Sequence, residues 1–139
     1  MAYWLMKTEP EEFSWDDQVK RGKKGEVWSG VRNFIARRNL KEMKKGEKFF
    51  FYHTGEEKQI VGIVEVIREA YPDPTDPKGV FRAVNVAAVK PFAKPVTLAA
   101  VKADARFKDM ALAKYPRLSV QPVTAQEWKA ICAMGGVKD

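Results

Sequence analysis

The sequence predicts an α+β domain in which short helices interrupt a curled antiparallel sheet or a small open barrel. Aromatic, aliphatic and β-branched segments of strand length recur along the chain, and the strongest are residues 49–52 and 59–67. Between them lie short segments with helical spacing or helix-capping residues. This mixture does not favour a doubly wound fold, which needs long crossover helices between parallel strands.

The N-terminal quarter is predicted to form a strand and then a capped helix. Residues 2–7 are rich in aromatic and aliphatic side chains, and Pro10 ends the strand because the residue before a proline avoids the helical region. Ser14 precedes Asp17 by three positions, which is the spacing of a capping box. The helix that begins there is expected to run into a turn at residues 22–25.

The middle of the chain is predicted to hold one helix and three strands. Residues 32–43 have helical apolar spacing, and the aromatic strand at 49–52 follows them. The next strand, 59–67, is apolar on both faces and therefore expected to be central. Residues 71–79 contain three prolines and two aspartates and should form a rigid loop. Residues 80–89 should then pair antiparallel with 59–67.

The C-terminal third is predicted to contain two short helices and a brief strand. A helix is expected at residues 97–103 and a strand at residues 117–121. Thr124 and Glu127 form a second capping box for the last helix. Cys132 lies on the apolar face of that helix, so it is expected to be a buried small side chain rather than a nucleophile.

Positive charge is concentrated in one part of the chain. The formal net charge is +7, yet residues 20–48 hold 11 basic and 3 acidic side chains and so carry +8. Such a segment attracts polyanions and releases their counterions on binding. A well-solvated lysine-rich surface would have the same composition, so the charge alone leaves both interpretations open.

Several functional classes are disfavoured by what the sequence lacks. With one cysteine and one histidine, the chain has neither an internal disulfide nor a Cys/His zinc site, and a single thiol is typical of a cytoplasmic protein. No apolar stretch approaches the roughly 20 residues of a membrane-spanning helix. Phosphate-loop, dinucleotide and serine-hydrolase motifs are missing, so we expect no enzymatic activity, no metal and no cofactor.

His53 is the residue on which an enzymatic alternative depends. Histidine exchanges protons near neutral pH and could serve as a general base, assisted by Tyr52 or Lys7. No candidate nucleophile lies near it in the sequence, which favours a structural or ligand-contacting role at the end of an aromatic strand.

Residues 28–33 carry the clearest sign of a binding site. Trp28 could form a wall for a flat ring, and Ser29 and Asn33 could offer hydrogen bonds to a base edge. Gly30 would let the backbone approach closely. A core tryptophan beside a helix-capping serine is the alternative interpretation.

Four segments together resemble the EVE domain family over almost the whole length of the chain. They are residues 3–10 (YWLMKTEP), 28–33 (WSGVRN), 50–54 (FFYHT) and 117–123 (RLSVQPV). The resemblance implies a single PUA-like domain over residues 1–139, which is a small curled β-barrel with peripheral short helices. Thr54 stands where family members commonly have serine, and the hydroxyl is kept.

The resemblance also implies a pocket for a modified nucleobase, such as a methylated cytosine or adenine, in DNA or RNA. Trp28 is expected to lie open to solvent within a concave cleft beside Lys7 and His53. The expected pocket residues are Lys7, Trp28, Ser29, Gly30, Asn33, Tyr52, His53, Ser119 and Gln121, with Gly30 and Asn33 mainly shaping the turn. The basic helix is expected to contact phosphates through Arg32, Arg37, Arg38 and Lys41.

The sequence therefore predicts a monomeric, non-membrane reader of modified bases. One alternative is an enzyme, or a subunit of one, that acts on nucleic acid with His53 as general base. Another is an interaction module whose pocket holds a peptide or a metabolite. Turnover of an oligonucleotide and the salt dependence of binding would distinguish these classes.

Overall fold

The computed structural model describes residues 2–139, which form six strands and five α-helices. The strands are β1 (Tyr3–Thr8), β2 (Glu26–Trp28), β3 (Lys48–His53), β4 (Gln59–Pro72), β5 (Arg82–Thr97) and β6 (Val120–Val123). The helices are α1 (Trp15–Lys20), α2 (Phe34–Glu42), α3 (Leu98–Ala103), α4 (Ala111–Lys114) and α5 (Ala125–Met134). Two single-turn 3₁₀ segments, Gly22–Lys24 and Ala105–Phe107, complete the order.

All six strands belong to one sheet in the order β2-β5-β4-β3-β1-β6. The β1–β3 pair is parallel and the other neighbours are antiparallel. In a flat sheet β2 and β3 would lie roughly 14 Å apart. Instead, the ring of Trp28 in β2 lies 5.6 Å from the rings of Phe49 and Phe51 in β3, so the sheet curls strongly.

The α+β class is confirmed, but the barrel is not. Within residues 2–139, the edge strands β2 and β6 do not pair with each other, so the curled sheet stays open. No ladder closes it, because β2 is only three residues long and pairs with β5 alone.

Alternation along β1 and β3 builds one core on each face of the sheet. Successive side chains of a strand point to opposite faces. The core inside the curl includes Trp4, Met6, Trp28, Phe49 and Phe51. The core on the opposite face includes Leu5, Phe50, Tyr52 and Trp128, with the Phe50 and Trp128 rings stacked 4.0 Å apart beneath α5.

Local signals in the sequence placed most elements correctly. Both predicted capping boxes form, at Ser14 with Asp17 and at Thr124 with Glu127. Strand β2 was missed because three residues after a glycine-rich turn are too short to show a pattern. Strand β5 runs past the predicted end at residue 89 through two prolines, and register shifts interrupt its pairing with β4. Strand β6 begins three residues later than predicted and includes Pro122, which an edge strand tolerates.

The turn before β2 requires a glycine at position 25. Gly25 has φ +73° and ψ −165°, and a Cβ there would lie 2.2 Å from the carbonyl oxygen of Val86. We expect Gly25→Ala to lower the free energy of unfolding by about 3 kcal/mol, measured by urea denaturation. Gly22→Ala is the matched control, because Gly22 also has positive φ (+58°) but faces open space, so a loss of about 1 kcal/mol is expected. Equal losses would contradict the steric explanation.

Candidate functional site

A cleft of about 710 Å³ opens at one end of the curled sheet. Strands β1 and β3 are parallel, so they finish on the same side, with Thr8 opposite His53. The segment leading into β6 begins at that end because β6 is antiparallel to β1. The curl brings the end of β2 to the same place. Six of the predicted residues line the cleft: Lys7, Trp28, Ser29, Gly30, Arg32 and Ser119.

Further residues that the sequence analysis did not select also line the cleft. Thr8 and Glu9 lie in the first family block, directly after Lys7, and could have been found from it. Glu26 and Val27 were missed together with strand β2, and Arg117 lies in the last block. The cleft therefore combines basic, acidic and hydroxyl groups on one surface.

Lys7 presents a partly desolvated ammonium to the cleft. Its Nζ donates a hydrogen bond to the carbonyl oxygen of Pro116 at 2.8 Å. Its backbone N–H donates to the backbone carbonyl oxygen of Ser119 at 2.9 Å. Burial lowers the pKa of Lys7, because loss of solvent disfavours the charged form. An ammonium has three N–H donors, so two remain for an acceptor in the cleft.

Trp28 borders the cleft but does not lie open in it. The residue is only 7% exposed, and its ring packs edge-to-face against Phe49 and Phe51. The expectation of a solvent-open indole is therefore wrong, because the curl draws this ring into the core between β2 and β3. The hollow beside Lys7 is nevertheless present.

Asp73, in the loop between β4 and β5, binds Gly30 and Arg32, two residues that line the cleft, and its role was not predicted. Its buried carboxylate accepts hydrogen bonds from Gly30 N–H at 2.8 Å, from Arg32 Nη1 at 3.1 Å, and from the N–H and hydroxyl of Thr75, each at 2.7 Å. Burial raises the pKa of Asp73, but these hydrogen bonds outweigh it and hold the pKa below its ordinary value. The only sequence signal was an aspartate two residues before a threonine in a proline-rich loop, which is typical of an Asx turn.

His53 is engaged on both ring nitrogens. Its Nε2 accepts the backbone N–H of Trp15 at 3.0 Å, and its Nδ1 lies 2.8 Å from Glu57 Oε1. Since Nε2 accepts, Nδ1 carries the proton that is donated to Glu57, and this hydrogen bond lowers the pKa of Glu57. The side chain thus ties α1 to the end of β3 and does not line the cleft.

Three other predicted pocket residues have structural roles in the elements around the cleft. Tyr52 is buried in the core beneath α5, where burial raises the pKa of its hydroxyl. Gln121 donates from Nε2 to the carbonyl oxygens of Tyr115 and Leu118 and so shapes the segment that carries Arg117 and Ser119. Asn33 caps α2 by accepting the N–H of Ala36 at 2.9 Å. None of the three lines the cleft.

The predicted phosphate-contacting residues fall into two groups. Arg32 is paired with Asp73, and Arg37 donates to the carbonyl oxygen of Val80. Arg38 and Lys41 are exposed on α2, and neither forms a hydrogen bond or ion pair through its side chain within residues 2–139. Only this second group has uncommitted charges for a ligand.

Two further properties concern the whole described chain. Among residues 2–139, no helix combines the length and apolar character needed to cross a bilayer. The same residues contain no group of three or more histidine, cysteine or carboxylate side chains arranged to hold a metal ion.

Comparison of the sequence with known protein families identifies the class of domain to which the curled sheet and its end cleft belong. The EVE domain profile matches residues 2–134. The chain therefore belongs to the EVE domain family, as the sequence blocks predicted.

Named relatives bear out this membership. Human thymocyte nuclear protein 1 is 33% identical over an alignment that covers 96% of this chain and 73% of that protein. An NMR structure of a protein from Rhodopseudomonas palustris is 60% identical with a TM-score of 0.93, covering 98% of this chain and 94% of that one. The crystal structure of the human THYN1 protein in complex with 5-methylcytosine-containing DNA is 31% identical with a TM-score of 0.92, covering 100% of both chains.

Proposed function

We propose that this chain binds nucleic acid and holds one modified nucleobase in the cleft beside Lys7, Ser29 and Ser119. The observation that carries the proposal is the cleft itself, whose volume of about 710 Å³ lies within the usual range of small-ligand sites. Methylated cytosine in DNA is the first candidate, because a 31% identical relative was solved with such DNA. Methylated adenine and RNA are the alternatives for the experiment to separate.

The polar groups of the cleft suit the edge of a cytosine. Its ring offers acceptors, which the two uncommitted N–H donors of Lys7 can meet, and its amino group needs an acceptor such as Glu9 or Glu26. The hydroxyls of Ser29 and Ser119 can act in either sense. A methyl group would rest against an apolar part of the lining such as Val27, which is worth about 1–3 kcal/mol in discrimination.

Extracting a base from a duplex costs a few kcal/mol, so contacts outside the cleft are needed. Arg38 and Lys41 are exposed with uncommitted charges, and they are the side chains that we assign to phosphates. The proposal includes no catalytic step, since both nitrogens of His53 are hydrogen-bonded within the fold. It also takes the chain to be a cytoplasmic monomer.

Lys7→Met tests the cleft and the double substitution Arg38→Ala with Lys41→Ala tests the phosphate contacts. We expect Lys7→Met to weaken both free 5-methyl-2′-deoxycytidine and a single-stranded oligonucleotide containing it roughly tenfold to hundredfold, through lost hydrogen bonds from a charged donor. The double variant should weaken only the oligonucleotide and reduce the slope of log K against log salt by about 1.4, the value for two phosphate contacts on a single strand. Calorimetry with the nucleoside and fluorescence anisotropy with the oligonucleotide measure these effects.

The control is Lys102→Met, which removes the same charge from an exposed position on α3 outside the cleft. Equal losses for Lys7→Met and Lys102→Met would show that only net charge matters. Equal affinity for methylated and unmethylated oligonucleotides would remove the modified base from the proposal. Conversion of the oligonucleotide would favour the enzyme, and binding of peptides without salt dependence would favour an interaction module.

A further inference from the structure

Four planar side chains form a continuous array that leads away from the cleft. The guanidinium of Arg37 lies 4.9 Å from the Phe34 ring centre, and the Phe34 and Phe81 rings are 5.3 Å apart at 31°. The guanidinium of Arg32 lies 5.3 Å from the Phe81 ring centre. Arg32 also lines the cleft. We call Arg32, Phe81, Phe34 and Arg37 the aromatic array.

Phe34 lies outside both buried cores of the fold and contacts Phe81 and Arg37 at the surface. It is the first residue of α2 and is 62% exposed, whereas the buried face of that helix consists of Ala36, Asn39 and Leu40. The helix start is already satisfied by the Asn33 cap. An exposed large aromatic side chain beside a cleft indicates a contact surface.

The charge around the array selects the kind of partner. Besides Arg37, helix α2 carries Arg38 and Lys41 against a single acid, Glu42. The acidic groups nearest in the chain are committed internally: Asp73 to Gly30 and Arg32, and Asp76 to the backbone N–H groups of Lys78, Val80 and Phe81. A surface of aromatic rings and guanidinium groups is complementary to unpaired bases joined by phosphates.

We propose that the aromatic array stacks the unpaired nucleotide next to the base held in the cleft. This inference rests on the proposed function, and it assigns a site for a second, flanking nucleotide outside the cleft. The flanking base lies against Phe34, and Arg38 and Lys41, which lie four and seven residues further along the same face of α2, are placed for its phosphates. Because every base has a flat face, the array tolerates any flanking sequence.

Phe34→Ala tests this site without disturbing the core. We expect it to weaken a single-stranded 5-methylcytosine oligonucleotide roughly fivefold to thirtyfold, which is the usual effect of losing one stacked base. Affinity for the free nucleoside should stay within about twofold, and the salt slope should not change, because stacking releases no counterions. Phe34→Tyr should restore the affinity. Val89→Ala, which trims an exposed apolar residue of β5 outside the array, is the matched control and should have no effect.

A fluorescent base gives a direct readout of the contact. 2-Aminopurine placed immediately 5′ or 3′ of the methylated cytosine should be quenched by wild-type protein on one of the two sides, and not by Phe34→Ala. Unchanged oligonucleotide affinity for Phe34→Ala, while Lys7→Met still weakens it, would overturn the array and leave the proposed function standing. Failure of wild-type protein to bind either nucleoside or oligonucleotide would overturn both. Equal loss for Phe34→Tyr and Phe34→Ala would also reject stacking.

Discussion

Asp73→Ala is expected to lower the free energy of unfolding by about 3 kcal/mol and to abolish measurable nucleoside binding. The carboxylate is fully buried and receives four hydrogen bonds, from Gly30, Arg32 and Thr75. Without it, the Gly30 N–H and the Thr75 groups lose their acceptor. The Arg32 side chain is 40% exposed, so water can solvate its charge once the carboxylate is gone. The expected decrease in stability therefore lies near the low end of the range for breaking a buried ion pair.

Urea denaturation and nucleoside calorimetry measure the two effects of this substitution. Asp109→Ala is the matched control, because Asp109 is exposed and its change should stay within about 0.5 kcal/mol. Asp73→Asn keeps the shape and one acceptor oxygen, so about half of the loss is expected. An Asp73→Ala protein as stable as the Asp109→Ala protein would show that the loop does not depend on this carboxylate.

The contribution of Asp73 also has a defined pH dependence. Its pKa in the folded chain lies below the ordinary value of 3.8, so the folded state favours the ionised form. The stabilisation is therefore fully present above the pKa of the unfolded chain and is lost as the pH falls through the lower folded pKa. The difference in stability between wild-type protein and Asp73→Asn should be constant from pH 7 to about pH 5 and shrink below pH 4. A constant difference down to pH 2 would contradict this account.

Trp28→Ala is the second substitution with a large expected effect, a loss of about 3–5 kcal/mol in the free energy of unfolding. The ring fills the space between β2 and β3, in contact with Phe49 and Phe51. Its removal is expected to leave a cavity that is continuous with the cleft. Because water can enter this cavity, we expect a decrease in stability near the lower end of that range. Urea denaturation measures the change in the free energy of unfolding, and near-ultraviolet circular dichroism follows the packing of the aromatic rings. A decrease of less than about 1 kcal/mol would contradict a buried Trp28 ring.

Trp28→Phe separates a packing role from a stacking role. Phenylalanine keeps an aromatic ring against Phe49 and Phe51, so we expect most of the stability to remain. If Trp28 mainly packs, nucleoside affinity should change by no more than about threefold, in contrast to the larger effect that loss of a stacking wall would produce. A tenfold loss in a stable Trp28→Phe protein would restore the open-wall interpretation.

Local rules predicted the parts of the fold that depend on neighbours in the chain. Capping residues at Ser14 and Thr124 and the aromatic run of β3 identified their elements because each signal is complete within a few positions. Five of the nine pocket residues predicted from the family blocks line the cleft, and Arg32, which was predicted to contact phosphate, lines it as well. Which block residues face the cleft depends on the curl of the sheet, which no local pattern contains.

The errors share a long-range cause. Trp28 is buried by residues of β3 more than twenty positions away, and Asp73 reaches Gly30 across 43 positions. Tyr52 and Gln121 belong to the right blocks but point into the core or hold the chain behind the cleft. Tertiary contacts of this kind override what a residue type suggests in isolation.

The position of β1 in the sheet constrains how the molecule is made. Strand β1 is flanked by β3 and β6, so one of its edges stays unpaired until residues 120–123 emerge from the ribosome. Ser119, whose carbonyl oxygen accepts the backbone N–H of Lys7, is translated equally late. Pairings between distant segments form slowly, and an open strand edge is exposed to aggregation meanwhile. The cleft is therefore incomplete until Pro116, Arg117 and Ser119, which line one side of it, have been translated.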